Sequence, residues 1–484
     1  MSYIIVNLSI LYASNISAQW ITGKIDTITH NKSINYAVSP NSIAIDNQNT
    51  IHVVWQKREI ESVPESWRVY YSRKIVNGNW SSPVPISDTL QKSVYPSIVV
   101  ANKLRKLFVT YVKSLNNFVS RIAVAVADEK LKWQSINLTN DSVQNTWPSI
   151  AIDKNENIHV AWLGFDSLFL NKIKYSNNKN GVWKTLTLND SFVGDNYYAV
   201  PSLSISPLGK VNILYLSIVG GQPRNVYAEN ENLGTEWNFE LLPASINGSG
   251  ILKISKKGKL NYIFNYSKDF QFPVHVYYTS KESKLSEWTS PELIPEFDGV
   301  CTSVELDDDD FMHLSLDSLE LAFKTGKVYY ATNRSGFWRS SPVSNKGLTY
   351  FSSFKLDIKG FGHVISSNQL TFNSSELVHF MSENSLTGIK NNSTNYLEDY
   401  NLFQNYPNPF NSYTVIEFSI PKSQRVKITI YNVLGEEIRI LTKENFGSGI
   451  HKINFDSAYL SSGIYFYKIE TKFFSSAKKM LLIK

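Results

Sequence analysis

The sequence predicts an all-β protein, namely a seven-bladed β-propeller followed by a small antiparallel β-sandwich of the immunoglobulin-like kind. Three observations predict this fold class. Tyr, Phe and Trp together make up 13% of the 484 residues, and aromatic residues favour strands over helices. Tryptophan recurs about every 50 residues over most of the chain. Residues 401–484 then alternate apolar and polar side chains between turns, which is typical of half-buried strands.

Composition and charge exclude several classes of protein. Apolar residues make up 42% of the chain, so a core can form and disorder throughout the chain is excluded. The single cysteine, Cys301, allows no internal disulfide. No apolar run reaches about 18 residues, so we expect no transmembrane segment. Residues 402–484 carry 11 basic and 6 acidic side chains, whereas the rest carries 37 and 36. Because nucleic-acid binding needs a basic patch, we expect no nucleic-acid partner for this nearly neutral body.

Residues 1–18 resemble a secretory signal peptide. An apolar stretch from Tyr3 to Ala13 precedes the small residues Ser17 and Ala18. No Lys or Arg comes before the stretch, and Asn7 interrupts it. The segment is therefore a weak signal, or follows a true start farther upstream, or is an ordinary first strand.

Seven tryptophans mark the internal repeat, and each opens a short strand-like segment: Trp20, Trp80, Trp133, Trp183, Trp237, Trp288 and Trp338. Between successive tryptophans lie two segments joined by an Asp, Asn or Gly turn, as in WPSIAIDKNENIHVAW at 147–162, and a third, as in KIKYS at 172–176. Four short strands in about 50 residues are typical of a propeller blade. A β-helix would use shorter repeats with fewer strands.

The ends of the repeat predict how the ring closes. The seventh unit, 351–383, has three segments but no fourth that begins with Trp, whereas the Trp20 segment has no unit of its own. Pairing the two leaves no open sheet edge. We therefore predict a propeller over residues 19–383 closed by its N-terminal strand, with six blades and a flanking hairpin as the alternative. The Asn-rich residues 384–400 are predicted to be a linker.

The C-terminal residues 401–484 closely resemble the type A sorting domain of the type IX secretion system. The matching positions are Tyr406, Pro407, Asn408, Pro409, Phe410, Asn411, Gly435, Gly449, Gly463, Tyr465 and Lys479. Ser412 stands where the family often has Pro, and Phe455 stands in place of the usual Trp. The resemblance implies the type IX machinery as partner and export through the periplasm, either to the outer-membrane surface or into the medium. The alternative is an ordinary immunoglobulin-like domain that binds a ligand.

The propeller contains segments that resemble degenerate Asp-box turns of the sialidase and BNR-repeat superfamily, such as KYSNNKNGVW at 174–183. In that motif an Asp side chain bonds backbone N–H groups of the hairpin. The resemblance implies the fold more than an activity. Sialidases bind the substrate carboxylate with an arginine triad, and basic residues do begin the third segment of six units: Arg68, Arg121, Lys172, Arg224, His275 and Lys327. Because these strands lie away from the channel, we expect a solvated or paired ring. A sialidase-like glycoside hydrolase remains the alternative, with no catalytic residue assigned.

Histidines recur at one strand position in four units: His52, His159, His313 and His363. A metal site would need them to converge, whereas equivalent positions of separate blades lie far apart, so we expect each to bond a neighbouring backbone group. The Asp307–Asp310 run and the spacing of Asp153, Asn155 and Asn157 would suit calcium, but other units simply turn there. We predict no metal site and no cofactor, with a structural calcium ion as the less favoured alternative.

Aromatic residues in the predicted loops are the best candidates for ligand binding. The loops after second and fourth strands share one face of a propeller, and exposed rings beside amides suit a sugar or a protein. The predicted ligand-binding residues are Trp67, Arg68, Tyr95, Arg121, Trp147, Phe165 and Tyr198. We therefore predict a secreted or cell-surface protein whose propeller binds a glycan or a protein without catalysis.

Overall fold

A computed structural model describes residues 19–26, 33–36, 41–59, 66–88, 91–165, 171–188, 201–230, 236–267, 274–283, 286–318, 326–344, 348–371, 374–387, 400–420, 423–447, 449–472 and 474–484. The predicted signal peptide, most of the predicted linker and Tyr198 lie outside the described residues. The chain divides into two compact units, residues 1–389 and 390–484. Within the described part, no helix is long and apolar enough to cross a membrane.

The first unit is a β-propeller with seven blades, each an antiparallel meander of the kind that the repeat predicts. From the channel outward, the strands of blades 1 to 3 are Ser33–Tyr36 with Ile43–Ile45, Ile51–Glu59, Ser66–Lys74 and Val84–Pro85; Lys92–Ala101, Lys106–Ser114, Ser120–Ala127 and Trp133–Asn137; and Asn145–Ile152, Ile158–Phe165, Asn171–Asn177 and Lys184–Thr187. A 3-10 turn, Lys179–Gly181, precedes the last of these.

The remaining blades follow the same order. The strands of blades 4 to 7 are Ser202–Ile205, Val211–Val219, Gln222–Asn230 and Asn238–Leu241; Ser249–Ile254, Leu260–Tyr266, His275–Lys281 and the start of Glu292–Leu306; the end of that strand, Met312–Ser318, Val328–Thr332 and Arg339–Pro342; and Leu348–Leu356, Phe361–Thr371, Ser374–Ser385 and Trp20–Asp26. Glu292–Leu306 thus serves two blades, because its first residues pair with blade 5 and its last with blade 6.

The ring closes at blade 7 through the first described strand of the chain. Trp20–Asp26 pairs antiparallel with Ser374–Ser385, with Trp20 opposite Ser382. On the channel side, the inner strand of blade 7 contacts the inner strand Ile43–Ile45 of blade 1. This is the pairing that the solitary Trp20 segment predicts. Seven blades are present, so the six-bladed alternative is wrong.

The recurring tryptophans join one blade to the next. Five of the seven pack edge to face on a ring in the third strand of the preceding blade, with centroids 5.1–5.8 Å apart. The pairs are Tyr71–Trp133, Tyr175–Trp237, Tyr278–Trp338, Tyr330–Trp20 and His379–Trp80. Edge-to-face contact is a favoured geometry for aromatic pairs. The repeat of about 50 residues therefore reflects the spacing of inter-blade contacts.

The recurring histidines bond side chains of their own blade, rather than the backbone groups that we expected. In blade 3, His159 Nδ1 lies 2.7 Å from the Tyr175 hydroxyl, and Nε2 lies 3.5 Å from Asp153 Oδ2. Asp153 also accepts the N–H groups of Asn155 and Asn157, which closes the turn. Blades 1 and 6 repeat this arrangement, with Asp46 and Asp307 as the turn residues. Among the described residues, no cluster of His, Cys, Asp or Glu could hold a metal ion.

The second unit is the predicted sandwich of two antiparallel sheets. One sheet contains Asn401–Leu402, Tyr413–Ile420 and Gly449–Asp456; the other contains Glu437–Phe446, Gln424–Tyr431, Gly463–Glu470 and Ser475–Leu482. Alternate side chains from both sheets form one buried core, with Phe418 from the first sheet and Ile428 and Tyr467 from the second. The alternation in the sequence marks these inward-facing positions.

Candidate binding cleft and channel

A cleft of about 780 Å³ lies where blades 1, 2 and 3 meet. Asn116 and Asn117, from the loop after the second strand of blade 2, line it, and so does Gln144, just before the inner strand of blade 3. The cleft therefore opens on the face that carries the loops after second and fourth strands. Its volume lies within the range of ligand pockets, roughly 300–1,000 Å³.

Four of the seven predicted ligand-binding residues line this cleft: Trp67, Tyr95, Trp147 and Phe165. All four rings are partly exposed. Trp67 lies near the start of the third strand of blade 1, and Phe165 ends the second strand of blade 3. Residues far apart in the sequence thus present rings to one space, because their strands end at the same face of the propeller.

Tyr95 and Trp147 reach the cleft from bulges in the inner strands of blades 2 and 3. The strand register shifts between Val94 and Ser97, and at the equivalent place in blade 3. Tyr95 has φ 57° and Trp147 has φ 50°, a left-handed conformation that costs roughly 1–2 kcal/mol for a residue with a side chain. A bulge redirects a side chain, so this strained backbone places both rings in the cleft.

One position near the end of each second strand is polar in some blades and apolar in others. Gln56 of blade 1 is buried, and its Oε1 accepts the Tyr95 N–H at 2.9 Å. In blade 5 the counterpart Asn265 accepts the corresponding N–H of the next blade, that of Cys301, at 2.7 Å. In blade 6 the counterpart Asp317 accepts the N–H of Ser352, one residue farther along its strand, at 3.2 Å. In blades 2 and 3 the same position holds Val112 and Leu163, which line the cleft. Leu216 of blade 4 is apolar at this position too but is not among the described lining residues, so the loss of the acceptor accompanies the cleft without defining it alone.

The polar part of the cleft consists of amides and hydroxyls. Besides the amides already named, Ser114 and Thr146 line it, and Lys92 is the one charged side chain among its described lining residues. Two acidic residues in the described parts of the neighbouring loops have basic partners. Asp88 lies 3.2 Å from Lys113, and Asp141 lies 2.9 Å from the Lys174 ammonium. The site can therefore stack on apolar surfaces and bond hydroxyl groups.

Two predicted site residues do not line the cleft. Arg68 holds its guanidinium 5.9 Å from the centre of the Tyr70 ring, and Arg121 lies opposite Lys113 on the third strand of blade 2. Sequence reasoning missed Gln56, Lys92 and the loop amides. Of these residues, only Gln56 could have been found from the sequence, because an alignment of the seven repeats shows a polar residue at its position in some blades and an apolar one in others.

A second space of about 280 Å³ occupies the central channel. Tyr95 and Trp147 line it as well as the cleft, so the two spaces adjoin at these rings. Leu203, Ile251 and Val304 form apolar parts of its wall, and Lys253 is its charged lining residue.

In the sandwich, the YPNPFN segment holds the last strand in place. Phe410 is buried in the core, its N–H donates to the Leu481 carbonyl, and its carbonyl accepts the Ile483 N–H. The Asn408 side chain accepts the Leu481 N–H at 2.8 Å. The peptide bonds before Pro407 and Pro409 are cis.

The other motif positions occupy turns and strands of the sandwich. Tyr406 is exposed and bridges to Val415, and Asn411 precedes the second strand. Gly435 has φ 81° in the turn that Asn432 closes. The remaining positions begin or lie within strands: Gly449, Gly463, Tyr465 and Lys479.

Comparison with known proteins identifies one part of the chain. Residues 404–484 match the family model described as a secretion system C-terminal sorting domain. This match confirms the resemblance seen in the motif, and it implies interaction with the type IX machinery and secretion out of the cell. No curated protein matches the chain.

Solved structures resemble the propeller. The polysaccharide lyase Uly1 aligns with a TM-score of 0.53 and 9% identity over 76% of this chain and 99% of its own. An ulvan lyase aligns with a TM-score of 0.51 and 12% identity over 72% and 93%. A Hadza microbial sialidase aligns with a TM-score of 0.43 and 10% identity over 68% and 73%. At such identities the likeness shows the fold alone.

Proposed function

We propose that this exported protein binds a glycan chain in the cleft between blades 1, 2 and 3 of its propeller. One observation carries the proposal, namely that Trp67, Tyr95, Trp147 and Phe165 converge on a single cleft whose other lining residues are mainly amides, hydroxyls and small apolar groups.

The chemistry of the cleft suits a sugar. Aromatic rings offer flat apolar surfaces on which the C–H faces of sugar rings can stack. Amide side chains both donate and accept hydrogen bonds, as sugar hydroxyls require. Four rings in one space of about 780 Å³ suit several linked sugars better than a single one, because each ring can support one sugar.

The described lining favours binding over hydrolysis. Most glycoside hydrolases use a pair of carboxylic acids, and sialidases add a Tyr nucleophile. No Asp, Glu or Arg is among the described residues that line the cleft, and Asp88 and Asp141 nearby are paired with lysines. This supports a non-catalytic role over the sialidase-like alternative.

The destination of the protein forms the second part of the proposal. The sorting domain implies secretion out of the cell, and we propose that the propeller works at the outer-membrane surface or in the medium. Deleting residues 402–484 should leave the protein in the periplasm. Arrival of the truncated protein outside the cell would contradict the role of this domain as the export signal.

A glycan array probed with the full chain tests the cleft. Trp67→Ala and Trp147→Ala should each remove saturable binding to the glycans that the unaltered protein retains, whereas Tyr459→Ala, which removes a 99% exposed ring from the sandwich, should not. Equal binding by all variants would refute the cleft as the site. The same glycans, analysed for new reducing ends after incubation, would reveal hydrolysis and support the alternative.

A further inference from the structure

Three charged residues meet on neighbouring inner strands around the central channel. Lys253, Glu305 and Lys355 lie on the adjacent inner strands of blades 5, 6 and 7. The Lys253 ammonium lies 3.3 Å from Glu305 Oε1, and the Lys355 ammonium lies 2.8 Å from the same oxygen. Two cations therefore share one carboxylate oxygen.

The same repeat position is uncharged in the other four blades. In blades 1 to 4 it is occupied by Ala44, Val99, Ala151 and Ser204. Each of these pairs with the second strand of its own blade at the same register position as Lys253, Glu305 and Lys355 do in theirs. The cluster thus has an excess of one positive charge, and the equivalent positions on the inner strands offer no second carboxylate to balance it.

The excess charge is poorly solvated. The Lys253 side chain is 25% exposed and that of Glu305 is 14% exposed. Burial lowers the pKa of Lys253, Glu305 opposes this effect, and the Lys355 ammonium adds to it. Withdrawing an unbalanced charge from water is unfavourable, and an anion placed beside Lys253 would relieve that cost.

A ligand can reach Lys253 along the channel. Lys253 lines the same 280 Å³ space as Tyr95 and Trp147 at the cleft side, and Leu203 and Ile251 form apolar wall between them. The described wall of this space therefore combines apolar side chains with one cationic group, the Lys253 ammonium.

We propose that the central channel binds a ligand carrying one carboxylate or sulfate group, and that this group lies against Lys253. The ligand is either a small free organic acid or an acidic sugar at the end of a glycan held in the adjoining cleft. The first source does not depend on the proposed glycan function, whereas the second rests on it.

Calorimetric titration of the full chain tests the channel with four probes: glucuronate, phenyl sulfate, a tetrasaccharide ending in glucuronic acid, and its carboxyl-reduced counterpart. Lys253→Met should weaken binding of an acidic probe about tenfold or more, since a hydrogen bond to a charged group contributes roughly 1.5–3 kcal/mol. Lys355→Met should also weaken it, because the cluster then has no excess positive charge. Glu305→Gln should strengthen it, because the substitution removes the competing carboxylate. Lys106→Met, which removes an exposed ammonium outside the channel lining, should leave binding unchanged.

The four probes distinguish a small free acid from the acidic end of a glycan. They also test the anion site separately from the proposed glycan function. Binding of a free acid supports a small ligand, and binding of the tetrasaccharide alone supports the end of a glycan. Equal affinity for the tetrasaccharide and its reduced form, with no binding of either free acid, would overturn the anion site but preserve the glycan function. Failure of every acidic probe to bind, or weaker binding by Glu305→Gln in a protein with unchanged thermal unfolding, would also overturn the anion site.

Discussion

Replacing Trp20 by alanine tests whether the first strand stabilises the ring as the structure indicates. The indole packs edge to face on Tyr330 of blade 6, with centroids 5.8 Å apart, and it packs against the core cluster of blades 6 and 7 beside Leu356. An aromatic pair contributes about 0.5–1.5 kcal/mol beyond its burial, and a fully buried Trp loses about 3–5 kcal/mol on truncation. Because Trp20 is only partly buried, we expect the free energy of unfolding to fall by about 2–4 kcal/mol.

Denaturant titration followed by tryptophan fluorescence measures this loss. All 11 tryptophans lie between positions 20 and 338, so the signal reports the propeller and not the sandwich. Ile21→Ala is the matched control, because Ile21 lies in the same strand but is 51% exposed; it should change stability by less than about 0.5 kcal/mol. Equal losses for the two variants would refute the account of ring closure.

Three further predictions concern the cleft, the histidines and the sandwich. Gln56→Leu should weaken glycan binding, because it removes the acceptor that holds the Tyr95 N–H. Gln56→Glu keeps an acceptor oxygen and should retain binding. Stability of the propeller should fall as pH drops below about 6.5, because burial lowers the pKa of His159 and His379, and the unfolded chain then binds more protons than the folded one. Phe410→Ala should destabilise the sandwich by about 3–5 kcal/mol and reduce the exported fraction.

Each of these has an outcome that would contradict it. Binding by the Gln56→Leu protein equal to that of the unaltered chain would show that the bulge needs no acceptor. A free energy of unfolding that stays constant between pH 7 and pH 5 would contradict the neutral buried histidines. For export, Tyr413→Ala removes an exposed ring from the same domain and should leave the exported fraction unchanged; equal export by Phe410→Ala would contradict the role of the core.

The sequence predicted those parts of the structure that repeat. The tryptophan spacing predicts the blades because the same kind of contact with the preceding blade recurs in five of them, and the solitary Trp20 predicts the closing strand for the same reason. The partners of the histidines could not be predicted, because a Tyr hydroxyl and a turn carboxylate reach them only once three segments of a blade lie side by side. The four aromatic residues of the cleft could be predicted because they stand outside the repeat pattern, whereas nothing in the sequence distinguishes Lys92 from other surface lysines.

Departures from the repeat occur at the two places where we propose that the propeller binds a ligand. A scaffold contact must recur in nearly every blade to keep the ring regular, so a position that changes character in a few adjacent blades is free to serve another purpose. Val112 and Leu163 replace a polar acceptor and form part of the cleft, and Lys253 and Glu305 replace small uncharged residues and charge the channel. The apolar residues occupy the acceptor position in blades 2 to 4, with Leu216 in blade 4, and the charged residues lie in blades 5 to 7. Tyr95 and Trp147 lie in the walls of both spaces. Because cleft and channel adjoin at those two rings, a single acidic glycan that stacked in the cleft could place its charged end in the channel. Binding energies at the two places would then be coupled, and truncating Trp147 would weaken both.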